Sequence, residues 1–292
     1  MSNLHGLVIN SYGRGFIVEV AGITYLAVTK GKKTTYVVGD QVEVQIINQK
    51  QLQILDVCPR QNLVYRTDQN RSKIIASNIS QILIIIAVKP SFNINFLNNC
   101  LLFAESENIK PIIVINKADL PESEAFIERI ANLYVKQLGY SLINLSAIDN
   151  CEVLKPILAN NQSLLIGQSG MGKSTITNQI IPKAMARVGE ISKSEASGCH
   201  TTTNASLYHI DNNSDLIDCP GLQEFGLYHL DIEELPSLFP ELRPYANQCR
   251  FRNCRHLNEP NCAITNAYNK GEIDKIRYNL FINLSQNLLQ KK

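Results

Sequence analysis

The chain has 292 residues, of which 45% are hydrophobic, and its formal net charge is +2 at pH 7. This length supports one large core or two to three small ones. The small net charge excludes a chain that is basic along its whole length, so any nucleic-acid-binding surface must be local. The longest apolar run is too short to cross a bilayer and no secretory signal is visible, so we expect a cytoplasmic protein without membrane contact.

The first 66 residues are typical of a small β-domain. Short runs rich in β-branched residues lie at 16–20, 24–28, 41–46 and 53–57, and glycines separate them. Short strands at this spacing predict a barrel similar to the OB-fold. We therefore expect a first domain at residues 1–66, and the pattern leaves open whether this barrel binds a ligand of its own.

The middle of the chain alternates between apolar strands and helical stretches. Apolar runs occupy 82–88, 111–115, 141–145, 163–167, 205–210 and 215–219. The run at 82–88 is uniformly apolar, as in a strand that is covered on both faces. The alternation predicts an α/β domain with a mainly parallel sheet at residues 67–230.

The remaining residues, 231–292, predict a third domain. Its first part is punctuated by prolines, a group of cysteines and a histidine follows, and a helix closes the chain. Helical spacing places Ile273, Ile276, Leu280, Leu284 and Leu288 on one face of that helix, which we expect to be buried. The fold class is thus a multidomain α/β protein with an N-terminal OB-like barrel and a helical C-terminal region.

A phosphate-binding loop is the clearest chemical motif. The stretch GQSGMGKS follows the run SLLI and fits the pattern G-x-x-x-x-G-K-[ST]. Glycines let backbone N–H groups approach phosphates, and the following helix adds its dipole. Lys173 would neutralise the outer phosphates and Ser174 would offer its hydroxyl to Mg²⁺.

The base is indicated by NKAD, which follows the run at 111–115. The Asp119 carboxylate can accept hydrogen bonds from N1–H and the 2-amino group of guanine, whereas adenine offers neither donor there. Lys117 would pack along the base and Asn116 would tie loops together. Ser146 and Ala147 follow the next strand, where a backbone N–H suits the guanine O6. A metabolic P-loop kinase or ATPase is a further interpretation, which NKAD disfavours.

Two further segments complete the predicted site for GTP and Mg²⁺. Asp218 follows a strand and would hold a metal-bound water, and the Gly221 N–H would face the γ-phosphate. One of the threonines after His200 could ligate Mg²⁺. The predicted nucleotide-binding residues are Asn116, Lys117, Ala118, Asp119, Ser146, Ala147, Gly167, Gln168, Ser169, Gly170, Met171, Gly172, Lys173, Ser174, Thr175, Thr201, Thr202, Asp218 and Gly221.

These segments occur in an unusual order. The base-binding segment precedes the phosphate loop, and the switch residues come last. This order is a cyclic shift of the usual one, which a sheet domain tolerates if its original ends lie close together. The second switch then leads directly into residues 231–292, so motion driven by the γ-phosphate can reach that region.

A second cluster, at the C-terminal end, predicts a metal site. Cys249, Cys254, His256 and Cys262 supply three thiolates and one imidazole. Four such ligands with no spare position make a closed tetrahedral zinc site, which is structural rather than catalytic. Arginines and aromatics around the cluster suit RNA backbone contact and base stacking, while a solvated basic rim is the alternative; they are Arg243, Tyr245, Arg250, Phe251, Arg252 and Arg255.

Five features occur together in this chain: an N-terminal barrel, NKAD before GQSGMGKS, HTTT, D-x-P-G and C-x4-C-x-H-x5-C. This combination resembles the RsgA (YjeQ) family of circularly permuted ribosome-assembly GTPases. The resemblance implies slow hydrolysis of GTP to GDP and phosphate, stimulated by the small ribosomal subunit during its late maturation. It implies that subunit and its rRNA as partners, and we expect a monomer. Cys219 stands where the family usually has threonine, and Cys199 stands where arginine is common.

The residue that orients the attacking water is not evident. Leu222 occupies the position at which Ras-like enzymes carry a glutamine, and leucine cannot orient water. His200 is the candidate within the chain, although it could equally cap or pack the switch, and a group supplied by a partner fits as well. The alternative function is a GTP-gated rRNA-binding module in which hydrolysis is incidental.

Overall fold

The computed structural model describes residues 4–12, 15–29, 35–68, 71–181, 205–219, 222, 225, 227, 230–257 and 259–290. Eleven strands form one continuous sheet and two more form a separate hairpin. Within these ranges no helix has both the length and the apolar character needed to span a membrane.

The first five strands close into a barrel. They are β1 (Leu4–Tyr12), β2 (Gly15–Val20), β3 (Ile23–Thr29), β4 (Gln41–Ile46) and β5 (Gln51–Val57). The barrel closes because β1 pairs with both β2 and β4. Inward residues alternate with exposed ones, as in β3, and the inward set forms a separate core that includes Val18, Val42, Leu52 and Ile54. The small barrel predicted from the sequence is confirmed.

A hairpin of β6 (Leu63–Asp68) and β7 (Arg71–Ser77) leads from the barrel into the central sheet. The Tyr65 ring packs edge-on against Phe103 with the ring centroids 5.5 Å apart, and its hydroxyl donates to Glu107 at 3.1 Å. Phe103 also stacks on Phe225, at 4.2 Å between centroids. One aromatic side chain of the central domain thus contacts both the hairpin and the segment that contains Phe225.

The central domain is a mainly parallel sheet flanked by helices, as predicted. Its elements are β8 (Gln81–Ala87), α1 (Ile94–Ser106), β9 (Lys110–Asn116), α2 (Ser123–Ile130) continued by a π-helical segment (Ala131–Gln137), β10 (Ser141–Asn144), a 3₁₀ turn (Glu152–Leu154), α3 (Lys155–Leu158), β11 (Gln162–Gly167), α4 (Lys173–Ile180), β12 (Ser206–His209) and β13 (Asp215–Asp218). The strands β10, β9, β8, β11 and β13 run parallel, and β12 pairs antiparallel with β13. β8 is buried along its whole length. The strand order of the large sheet is β10-β9-β8-β11-β13-β12-β1-β2-β3-β5-β4.

The barrel joins the central sheet through β12. Asn10 of β1 lies opposite Ser206, and its Nδ2 donates to the Ser206 Oγ at 2.8 Å. At the other end of β12, His209 lies 2.6 Å from a carboxylate oxygen of Asp215 and 3.2 Å from one of Glu19 on the barrel. The hydrogen bond with Asp215 and the two negative charges raise the pKa of His209. This ion pair therefore helps to hold the barrel against the sheet.

The C-terminal region contains a 3₁₀ turn (Leu235–Leu238), α5 (Ala263–Asn269) and α6 (Lys275–Leu289). Four of the five apolar residues expected on one face pack as predicted: Ile273 is buried, and Leu280, Leu284 and Leu288 are partly buried against the core. Arg277, Phe281 and Ser285 are fully buried, whereas Ile276 is 45% exposed. The expectation is therefore wrong only at Ile276, because the neighbouring Arg277, paired with Glu241, lies at the centre of the packed face.

Candidate functional site

The predicted phosphate loop connects β11 to α4 in the structure. A Cβ on Gly167 would lie 2.5 Å from the Ile85 carbonyl oxygen, so the strand end tolerates only glycine at its present distance from β8. Gly172 has a φ of +92°, and a Cβ there would collide with the Asn116 Nδ2. The loop therefore turns tightly into the N-terminus of α4, where backbone N–H groups are free to face an anion.

Lys173 and Asp218 meet at the carboxyl edge of the parallel sheet. The Lys173 Nζ donates to the carbonyl oxygens of Gly167 and Gln168, at 2.5 and 3.0 Å. Burial lowers the pKa of Lys173, against the nearby charge of Asp218, and burial likewise raises the pKa of Asp218. Because burial removes water from both groups, the amine is suited to contact a phosphate and the carboxylate is suited to contact a hydrated divalent cation.

Asn116 joins the base loop to the phosphate loop. Its Nδ2 donates to the Met171 carbonyl at 2.9 Å, and its Oδ1 accepts from the Ala147 N–H, also at 2.9 Å. The side chain is almost fully buried, with 2% of the residue exposed. The three segments that the sequence assigns to one nucleotide are therefore held together by a single amide.

The rest of the base loop is shaped for a ligand rather than for packing. Lys117 has a φ of +62°, an uncommon conformation for a side chain of this size. Asp119 is exposed, and the Ala118 N–H donates to the Leu145 carbonyl at 3.0 Å. The Ser146 Oγ is buried without a hydrogen-bond partner among the described residues. The exposed carboxylate of Asp119 and the unsatisfied hydroxyl of Ser146 lie on loops that follow the neighbouring strands β9 and β10, where they offer polar groups to a ligand.

The remaining predicted residues divide into two groups. Ser174 and Thr175 are placed at the start of α4, beside the phosphate loop. His200, Thr201, Thr202 and Gly221 lie outside the described residues.

One contact of the phosphate loop was not anticipated from the sequence. The Gln168 side chain accepts a hydrogen bond from the Asn93 N–H, at 2.8 Å, just before α1 begins. Pro90 lies beside the same loop, 3.1 Å from the position of a Cβ on Gly170. No motif marks Asn93 or Pro90, because their role depends on the parallel pairing of β8 with β11.

The predicted metal ligands converge in the C-terminal region. The four ligand atoms of Cys249, Cys254, His256 and Cys262 all lie within 4.8 Å of one another. The Cys249 and Cys262 sulfurs are 3.9 Å apart, and the His256 Nδ1 is 3.3 and 3.5 Å from them. A tetrahedral zinc site with Zn–S bonds of about 2.3 Å has sulfur–sulfur edges of about 3.8 Å.

The chemistry of this donor set also suits zinc. Burial lowers the pKa of His256, which keeps its imidazole neutral and able to ligate. Burial also raises the pKa of Cys254 to about 12, so a thiolate there needs a cation beside it. Glu259 accepts from the Arg255 and Leu257 N–H groups, at 2.9 Å each, and shapes the loop around His256.

The basic rim of this cluster is smaller than the sequence suggests. Arg250, Arg252 and Arg255 are exposed, and the Arg250 guanidinium lies 5.5 Å from the centre of the exposed Phe251 ring. Arg243 instead forms an ion pair with Glu105 of α1. The cation–aromatic surface available to a partner is therefore centred on residues 250–255.

Comparisons with known proteins give consistent results. A model of the RsgA GTPase family matches residues 57–228. A protein of Neisseria meningitidis serogroup C (strain FAM18), named small ribosomal subunit biogenesis GTPase RsgA, is 45% identical over 262 residues, which cover 89% of this chain and 85% of that protein. A protein of the same name from Nitrosospira multiformis is 42% identical over 286 residues, 98% of this chain and 91% of that protein.

Two solved structures share the whole architecture. The crystal structure of YjeQ from Thermotoga maritima matches with a TM-score of 0.77 and 27% identity, covering 99% of each chain. That of YloQ, described as a circularly permuted GTPase, matches with a TM-score of 0.75 and 26% identity, covering 100% of this chain and 96% of the other. The permuted order of segments predicted from the sequence is thus found in related folds.

Proposed function

We propose that this chain, which belongs to the RsgA GTPase family and is a GTP hydrolase, acts in the biogenesis of the small ribosomal subunit. The names of the relatives support the ribosomal setting. The structural observation that supports a nucleotide site is the double hydrogen bond of Asn116, which joins the base loop, the Ser146–Ala147 loop and the phosphate loop. The link holds the three loops close enough together for one ligand, such as a guanine nucleotide, to contact all of them.

GTP would be held by the residues that the sequence predicts. The phosphate-loop N–H groups and Lys173 would cradle its phosphates, while Asp119 and the Ala147 N–H would face its base. Ser174 and one of the switch threonines would hold Mg²⁺, and Asp218 would hold a metal-bound water. The ion would supply positive charge against the negative charge that develops during phosphoryl transfer. Before binding, the Lys173 amine is bonded to two loop carbonyls, so the phosphates must compete for it.

Hydrolysis by the isolated chain would be slow. Leu222 is 3% exposed and packs in the main hydrophobic core, with its N–H bonded to the Cys219 carbonyl at 3.2 Å. A buried leucine neither orients nor activates water. The missing group would come from His200 or from the small ribosomal subunit, whose binding would order the switch.

The partner surface would be formed by the barrel and the C-terminal region. We propose three functional units: a barrel at 1–66, a GTPase domain at 67–230 and a zinc-binding domain at 231–292. One structural Zn²⁺ would fix the loop that presents Arg250, Arg252 and Arg255 to rRNA. The proposed setting is cytoplasmic, during late maturation of the subunit, with the chain acting as a monomer.

GTP turnover by the purified protein tests this proposal, measured alone, with small ribosomal subunits and with large subunits as the control. We expect a large rise with small subunits alone. Replacing Arg250, Arg252 and Arg255 by alanine should reduce that rise and leave the intrinsic rate unchanged. The matched control removes three exposed cations from the central domain instead, Lys110, Lys136 and Lys155, and should retain the rise.

The alternative is a GTP-gated rRNA-binding module in which hydrolysis is incidental. Leu222 keeps this interpretation open, because its position supplies no catalytic group. GTP-dependent binding to the small subunit without faster turnover would favour the module. Turnover that rises equally with either subunit would contradict the proposed partner.

A further inference from the structure

Helix α1 begins against the phosphate loop. The Asn93 side chain caps the helix by accepting from the Asn95 N–H at 2.9 Å. The Asn93 N–H is bonded in turn to the Gln168 side chain at 2.8 Å. The phosphate loop is therefore tied to the first turn of α1 by a side-chain hydrogen bond.

The middle of the same helix holds the C-terminal region. Asn98 is fully buried, and its Oδ1 accepts from the Arg277 guanidinium at 3.1 Å and from the Tyr134 hydroxyl at 2.9 Å. Arg277 of α6 is also fully buried and pairs with Glu241 at 2.6 Å. Its guanidinium lies 4.7 Å from the centre of the Phe239 ring. This buried cluster, Asn98–Arg277–Glu241, is a polar contact between α1 and the chain after residue 231.

The two contacts lie close together along one rigid element. Asn93 and Asn98 are separated by five residues, or about 7.5 Å of helix rise. A helix packed against a sheet moves as a unit, so a displacement of its first turn also displaces Asn98. Arg277 cannot follow independently, because a buried guanidinium that loses its partners is costly.

We propose that Gln168 is a positioning residue that links nucleotide binding to the packing of α6 against α1, through the cluster Asn98–Arg277–Glu241. The inference rests on the proposed nucleotide site. Binding at the phosphate loop fixes Gln168, which fixes the start of α1 and with it the acceptor for Arg277. Because such coupling is reciprocal, the packing of α6 against α1 strengthens nucleotide binding by the same factor by which bound nucleotide strengthens that packing.

The first test measures the affinity of the full-length protein for a fluorescent GDP analogue. Gln168→Met keeps the length of the side chain and removes the acceptor, and should weaken binding about fivefold, the worth of one neutral hydrogen bond. Arg277→Met combined with Glu241→Gln removes both charges together, so that neither is left buried alone, and should weaken binding by a similar factor. All three substitutions together should weaken it no further, because they interrupt one connection.

The matched control is another ion pair, between the partly buried Arg60 and the buried Asp40, whose atoms are 2.7 Å apart. Asp40 accepts from Ser77 of the hairpin, and the neighbouring Gly39 lies against Gln162 at the start of β11. The phosphate loop leaves the opposite end of β11. Arg60→Met combined with Asp40→Asn should therefore leave GDP affinity within about twofold of the wild type.

The second test is hydrogen exchange of the amides of α6, with and without GDP. GDP should slow this exchange in the wild type and have no such effect in Gln168→Met, a difference that a purely local role of Gln168 would not produce. Affinity losses that multiply in the combined variant, or equal protection of α6 in Gln168→Met, would overturn the inference while leaving the nucleotide site intact. A wild-type protein that fails to bind GDP would overturn the proposed function itself.

Discussion

Replacing Asn116 by aspartate changes one atom of the link between the nucleotide loops. The Oδ1 of Asn116 accepts from the Ala147 N–H, so the Nδ2 must face the Met171 carbonyl. The introduced carboxylate would keep the first bond and place a second oxygen 2.9 Å from a carbonyl oxygen in a buried position. One lost hydrogen bond, one unsatisfied carbonyl and a desolvated charge together should cost about 3 kcal/mol of unfolding free energy.

The cost should depend on pH. Burial raises the pKa of the new carboxyl above its unfolded value of about 3.9, because the neutral form alone can donate to Met171. Its stabilising contribution is present at low pH and is lost as the pH rises through the raised, folded-state pKa. A cost of about 3 kcal/mol corresponds to a shift of about two pKa units, so the deficit relative to wild type should grow from about pH 4 to about pH 6, and GDP affinity should fall in parallel.

Urea unfolding followed by circular dichroism measures this deficit, since the chain contains no tryptophan to serve as a fluorescent reporter. Asn150→Asp is the control: Asn150 is exposed in the loop after Ala147, and its side chain accepts from the Glu152 N–H at 3.3 Å, a bond that a carboxylate keeps. A deficit that is small or independent of pH, or a GDP affinity equal to that of the wild type at the alkaline end, would refute the reasoning.

Three further outcomes are expected. Gly172→Ala should abolish GDP binding, because the added Cβ would collide with Asn116. The control Gly271→Ala is also at positive φ but has nothing within 4 Å, so it should cost only about 1 kcal/mol of unfolding free energy and retain GDP binding. Equal GDP affinities of the two variants would contradict the close contact between Gly172 and Asn116. Cys254→Ser should release zinc, as measured with a chromogenic chelator, and should destabilise the C-terminal region while GDP still binds. An unchanged zinc content would exclude this ligand set. His209→Gln should flatten the dependence of unfolding free energy on pH. Because the folded-state pKa of His209 is raised, its ion pair stabilises the fold below about pH 6.5, and this stabilisation is lost as the pH rises through the folded-state pKa. Identical pH profiles of wild type and variant would exclude this ion pair.

The sheet and the arrangement of its loops follow closely from local sequence. The run at 82–88 is uniformly apolar, and the structure has a fully buried strand at Gln81–Ala87. Loops that leave parallel strands at one edge lie close together, so the motifs predicted that Asn116 ties loops together, and the structure shows which loop it contacts, with the Asn116 Nδ2 beside Gly172. The nucleotide assignments made from those motifs remain predictions, because they concern a ligand rather than the chain.

Contacts between distant segments could not be predicted in this way. Helical periodicity selected Ile276 as a buried residue, but Arg277 occupies that place because Glu241 neutralises its charge and Asn98 accepts a hydrogen bond from it. The Gln168 contact likewise depends on where α1 begins relative to β11. The hairpin of β6 and β7 was not recognised, because its pairing is decided by packing against α1 more than by its own pattern.

The permuted chain order has a consequence for synthesis. Asn116 emerges from the ribosome first, but its two partners follow 31 and 55 residues later, and the ion-paired Arg277 lies 179 residues beyond Asn98. Contacts this distant in sequence close slowly and only after both segments have been made. A nascent chain would carry the base-recognition loop before it could retain a nucleotide, and would complete the support of α1 only after Arg277 had been made. A chain that stops before Arg277 should therefore bind nucleotide more weakly, although its binding loops were made much earlier.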